Sequence, residues 1–155
     1  MGREVFRCNA VRDGETLRLE LKGDIDEQTD LGALLKHQAS SVVIDLSKIC
    51  RINSAGCHRW VRFLEAMSNG RTLRLSRCST TFVAQAMMIP NMIARTSVES
   101  LYLPYWCERC GEELELLSRT GEDFQQKPKC PRCGDPLTPD SYASSIGVLL
   151  NPRSS

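Results

Sequence analysis

The pattern of apolar and polar positions changes period several times along the chain, and each change marks an element. Leu17, Leu19 and Leu21 alternate with Arg18, Glu20 and Lys22, which predicts a half-buried strand over residues 16–22. A second strand over residues 5–11 precedes it, and Asp13-Gly14 between them suits a tight hairpin turn that needs positive φ. Gly23-Asp24-Ile25-Asp26 breaks the alternation, and a helix striped with Leu31, Leu34 and Leu35 is expected next. Val42-Val43-Ile44 is apolar without alternation, as a strand buried on both faces would be, and Asp45-Leu46-Ser47 leads out of it.

The most legible helix follows. Cys57, Trp60, Val61, Leu64 and Met67 recur at helical spacing, His58, Arg59, Arg62 and Glu65 fall elsewhere, and Asn69-Gly70 ends the run. Leu73 and Leu75 alternate in a further strand. Ser79 can cap a third helix bearing Phe82, Val83, Ala86 and Met87, which Pro90 stops, and residues 98–103 form a last apolar strand. The order ββαβαβαβ predicts an α/β fold: one mixed β-sheet with helices packed against it.

At Pro104 the composition shifts. Residues 104–138 are rich in Cys, Gly, Pro, Glu and Lys and too poor in apolar residues to build a core of their own. The division expected is therefore a domain at 1–103, a small module at 104–138 and a tail at 139–155, with a short helix over residues 140–150.

Four of the eight cysteines stand in two Cys-x-x-Cys-Gly runs, Cys107/Cys110 and Cys130/Cys133, separated by 19 residues. Such a spacing lets one tight turn aim two sulfurs at one ion, and four thiolates close a tetrahedral shell. A structural Zn²⁺, one per chain, is the expected cofactor, and the segment resembles a zinc ribbon of rubredoxin-like knuckles. The other cysteines, Cys8, Cys50, Cys57 and Cys78, read as small buried hydrophobes. Within the ribbon, Arg109, Lys127, Lys129 and Arg132 could touch phosphate, but Glu108, Glu112, Glu113, Glu115, Glu122 and Asp123 share the segment, so a structural or protein-contact role is favoured.

Overall composition narrows the partner classes. With 41% hydrophobic residues and a net charge of +1, the chain is neither disordered nor a charge-driven nucleic-acid binder. Nucleic acid is thus not the expected main ligand. No apolar run approaches the ~18 residues of a membrane span. The first residues lack the apolar stretch of a secretory signal, so a soluble, cytoplasmic protein with reduced thiols is expected.

Asn53-Ser54-Ala55-Gly56 opens the clearest helix, and Asn53 or Ser54 can serve there as an N-cap. Taken with Val42-Val43-Ile44-Asp45-Leu46-Ser47 upstream and Gly23-Asp24-Ile25-Asp26 after the second strand, the stretch resembles the STAS domain of anti-sigma factor antagonists. The likeness covers about residues 4–103 and leaves the ribbon outside. Asn53 stands where the family has Asp, and His58-Arg59-Trp60 where small or aliphatic residues are usual.

The resemblance implies a regulator that works by protein–protein interaction in a partner-switching circuit controlling transcription or signalling. Ser54 would be the phospho-acceptor of a partner that is both serine kinase and anti-sigma factor. Asp26, Asn53, Ser54, Ala55, Gly56, His58 and Arg59 would form the docking face. A homodimer is compatible with this reading. Two alternatives remain open: a zinc-ribbon protein associated with nucleic acid or the transcription machinery, and a STAS adaptor subunit of a membrane transport complex. No catalytic residue is expected. Cys57 and His58 are sequence neighbours on a helix and point apart, and no phosphate-binding glycine loop is present.

Overall fold

The hairpin forms where the alternation places it. In the computed structural model, which describes residues 2–119 and 128–139, β1 (Arg7–Asp13) pairs antiparallel with β2 (Thr16–Ile25). Gly14 takes the positive φ of the turn. The break expected at Gly23 is instead a shift of register inside β2, which runs on to Ile25. Gly23, at φ +102°, is required there, because a Cβ would stand 2.4 Å from the Val5 carbonyl oxygen. The segment before β1 crosses the end of β2 at that point: Asp24 N–H donates to Glu4 O at 3.0 Å, and Glu4 N–H to Asp24 Oδ2 at 3.1 Å.

The helix expected around Leu31 is only a 3-10 turn, Gly32–Lys36. Five residues opening on glycine cannot offset the cost of nucleating an α-helix, although Leu31 and Leu34 are buried as the stripe requires. β3 (Ser41–Ile52) is longer than its apolar core suggests and contains Asp45-Leu46-Ser47. Val42, Ile44 and Leu46 lie in the main core with Leu17, Leu19 and Leu21. The other face of β3 is not purely apolar. Val43 stands in register with Arg18 and Arg74, and buried Asp45 accepts from Arg18 at 2.8 Å and Arg77 at 3.4 Å.

Next come α1 (Ser54–Met67), β4 (Thr72–Ser76), α2 (Thr80–Met88) and β5 (Thr96–Val98). The five strands lie in sequence order, with β2 to β5 parallel, so each later strand needs a crossover. α1 buries Gly56, Cys57, Trp60, Phe63, Leu64 and Met67, with Val61 only half-buried. Trp60 fastens α1 to its neighbours: its indole donates to Met92 O at 2.8 Å and its ring meets Phe82 edge-on at 5.4 Å. Ser79 caps α2 as expected, accepting from Phe82 N–H at 3.2 Å.

The apolar run at residues 98–103 divides. β5 ends at Val98, and β6 (Ser100–Cys107) starts a second sheet with β7 (Glu112–Arg119) and β8 (Thr138–Pro139), in the order β7-β6-β8. The boundary expected between residues 103 and 104 falls inside β6. Beside β6, β8 pairs only with Tyr105 and Trp106, so at Pro104 the strand has a partner on one side and tolerates proline as an edge strand does. Main-chain bonds tie the two sheets: Cys78 N–H to Ser100 O at 3.2 Å, and Tyr102 N–H to Cys78 O at 2.9 Å. Leu101, Leu103, Tyr105, Cys107, Cys130 and Leu137 extend the same hydrophobic core that holds Trp60. The helix expected at residues 140–150 lies outside the described residues. No helix among the described residues is long and apolar enough to cross a membrane.

Candidate functional site

Cys107 ends β6 and Cys110 follows one turn later; Cys130 and Cys133 sit in a matching turn held by Cys130 N–H to Asp135 O at 2.8 Å. All four Sγ atoms lie within 4.8 Å of one another, with Cys107–Cys133 at 3.5 Å and Cys110–Cys130 at 3.9 Å. Four thiolates about 2.3 Å from a tetrahedral ion stand about 3.8 Å apart, so the set is close enough to hold one metal ion. The same separations are far too long for disulfide bonds. Cys107 and Cys130 are buried and Cys110 and Cys133 half-buried, which leaves little room for a further ligand.

The two knuckles are near copies. Gly111 and Gly134 take φ of +67° and +80°, and each donates its N–H to the first cysteine's carbonyl at 2.8 Å. The backbone N–H groups of Cys133 and Arg132 pull the Cys130 thiol down, toward about 7, whereas hydrogen bonds from Cys133 and Cys107 hold Cys110 up. Each knuckle also carries an arginine in third place and an acid in sixth, and these pair across the site. Arg109 meets Asp135 at 3.5 Å, and Arg132 meets Glu112. The sequence offered both arginines as phosphate contacts; the fold gives each a carboxylate.

The start of α1 forms a second constellation. Asn53 is the N-cap, its Oδ1 accepting from Gly56 N–H at 2.8 Å, so Ser54 is the first helical residue and is exposed. Asn53 Nδ2 donates to Glu27 Oε2 at 2.8 Å. Gly56 is pressed against the Ile25 carbonyl, and Ala55 is half-buried beside it. His58 and Arg59 are exposed. Cys57 is buried, with its thiol directed to Gln85 Oε1 at 3.6 Å, while Cys50 is exposed rather than buried and Cys8 is half-buried.

Asp26 differs from its expected place on an open docking face. It is buried, and Arg3 donates to both its oxygens, at 2.5 and 3.0 Å. That guanidinium, with the Gln28 N–H at 2.9 Å, holds the carboxyl well below its usual range, to about 2. Arg3, Thr29 and Arg51 were not singled out from sequence. Arg3 and Arg51 join Asp24, Asp26 and Asn53 around a small cleft of about 250 Å³. Nothing in the spacing of Arg3 or Arg51 marks them, because their partners are 23 and 27 residues away.

No protein-family model matches the chain, and a search of curated proteins finds no match either.

Proposed function

We propose that the chain is a STAS-like regulatory protein that docks a partner at the start of α1, with phosphorylation of Ser54 controlling the docking. The observation that carries this reading is the exposed Ser54 hydroxyl at the first position of α1, on a helix end anchored by Asn53 and Gly56. A phosphoryl group there would be stabilised by first-turn N–H groups and the helix dipole. It would also add roughly two negative charges to the middle of a docking face, enough to eject a partner. The element order and the contact between Gly56 and the end of β2 support the STAS likeness, since they join the two segments that carry it.

Zinc is the metal that four thiolates at these separations suit, and its role here is structural. The paired states of Arg109 and Arg132 favour protein contact over nucleic acid for this part of the chain. Peptide mapping by mass spectrometry, on protein isolated from the cells that make it, tests the proposal. A phosphate on Ser54, with a co-purifying protein that Ser54→Asp releases, is the expected result. An unmodified Ser54 and unchanged co-purification of the aspartate variant would overturn it.

A further inference from the structure

Several arginines are matched with acids: Arg18 and Arg77 with Asp45, Arg51 with Asp24, Arg74 with Glu99, and the knuckle pairs already described. The outer side of α1 carries basic side chains without such partners. His58, Arg59 and Arg62 are exposed on adjoining turns, and none forms an ion pair among the described residues. Arg59 makes only a 3.3 Å hydrogen bond to the Thr29 carbonyl. These three side chains rim a cleft of about 530 Å³ between α1 and residues 29–35. Leu31 and Phe63 lie beneath its floor, with Leu35 and Ala55 half-buried, and Asp30 is the one acid in its lining.

We propose that this cleft receives an acidic amphipathic segment of a partner protein. Apolar side chains of that segment seat against Leu35 and Ala55, flanking carboxylates pair with Arg59 and Arg62, and the His58 ring offers a hydrogen bond beside them. The charge complementarity sets orientation and steers encounter, while the apolar floor supplies contact area. Phosphate backbones are the poorer match, since two arginines above a hydrophobic floor leave that floor without a role. The inference rests on the docking reading and adds the partner's chemistry. Ala55 links cleft and serine, and His58 lies one turn from Ser54, so a phosphoryl group on Ser54 sets its negative charge beside the docked segment and repels its carboxylates.

The test uses the full, metal-loaded chain and a synthetic helical peptide with leucines on one stripe and glutamates beside it. The expected result is salt-sensitive binding with amide shifts confined to residues 29–35 and 55–63. Joint Arg59→Glu and Arg62→Glu exchange weakens it at least about tenfold, as does replacing the peptide's glutamates by glutamine. Arg119→Glu, an exposed site remote from the cleft in sequence and on the second sheet, leaves it unchanged. Absence of binding, shifts elsewhere, or duplex DNA binding with the same arginine dependence would overturn the assignment. The two readings fail separately. A phosphorylated Ser54 with no peptide binding removes the cleft alone, and peptide binding with an unmodified Ser54 removes the switch alone.

Discussion

A Cβ on Gly56 would stand 1.9 Å from the carbonyl oxygen of Ile25. The first turn of α1 is therefore laid directly on the backbone at the end of β2, and Asn53 N–H reaches the same oxygen at 3.4 Å. One carbonyl thus fixes the height and tilt of the helix start, and with it the position of Ser54.

Gly56→Ala tests that contact. The neighbouring atoms are backbone and cannot rotate away, so the substitution acts as overpacking in a closed site. The expected cost is about 3 kcal/mol, or a fall of about 10 °C in Tm for a chain of this size, measured by thermal unfolding. Gly2→Ala, which meets nothing within 4 Å, should be neutral by the same measurement.

The capping roles at the helix start separate in the same way. Asn53→Ala removes the acceptor of Gly56 N–H and should cost about 1 kcal/mol. Ser54→Ala removes an exposed hydroxyl from the first helical position and should change stability by less than about 0.5 kcal/mol. Equal losses at both positions in denaturant melts would assign the cap to both residues.

What the sequence disclosed follows from what each signal depends on. The stripes of α1 and α2 and the alternation of β2 are local, so Trp60, Leu64, Phe82 and Leu19 were readable without knowing their partners. The cysteine set was readable because two turns of the same spacing bring four thiols to one place. The helix expected at Leu31 failed because a stripe of three leucines describes burial and not length. The boundary expected at Pro104 lies inside β6, because composition changes there while the strand continues through it, held on the core side by Cys78. Arg3 on Asp26, the cleft beside α1 and the crossed ion pairs of the knuckles arise between segments far apart in the chain. Periodicity carries no information about them.

The Arg3–Asp26 pair makes the segment before β1 sensitive to acid. Asp26 is held at about 2, below the usual carboxylate value, so its contribution is complete above about pH 4 and is lost as pH falls through about 2. Arg3→Ala should move the Asp26 carboxyl titration upward and speed amide exchange at Glu4, whose N–H bonds Asp24. Carbon-detected titration of Asp26 itself checks this, independently of global unfolding. An unchanged midpoint in the variant would mean that Gln28 and Thr29 alone set the value.

Metal removal should dissect the molecule at β6. Elemental analysis of the reduced protein is expected to give about one Zn²⁺ per chain, and affinity should fall as pH drops because the ligands must be thiolates. A chelator should then release residues 105–112 and 128–139, whose few apolar groups cannot order them alone. β2 to β5 should persist, because Leu101 and Leu103 stay buried beside Cys78 and need no metal to be held. The two tryptophans report the two parts: Trp60 is fully buried in the main core, whereas Trp106 is 45% exposed on the ribbon's central strand. In a Trp106→Phe variant the remaining emission should be unmoved by chelation, while a Trp60→Phe variant should respond. Hydrogen exchange guards against the second variant being destabilised: protection should vanish at Gly111 and Gly134 and survive at Ile44 and Leu75. Loss of all four together would show that the metal holds the five-stranded sheet as well, and that β6 transmits its order to the whole core.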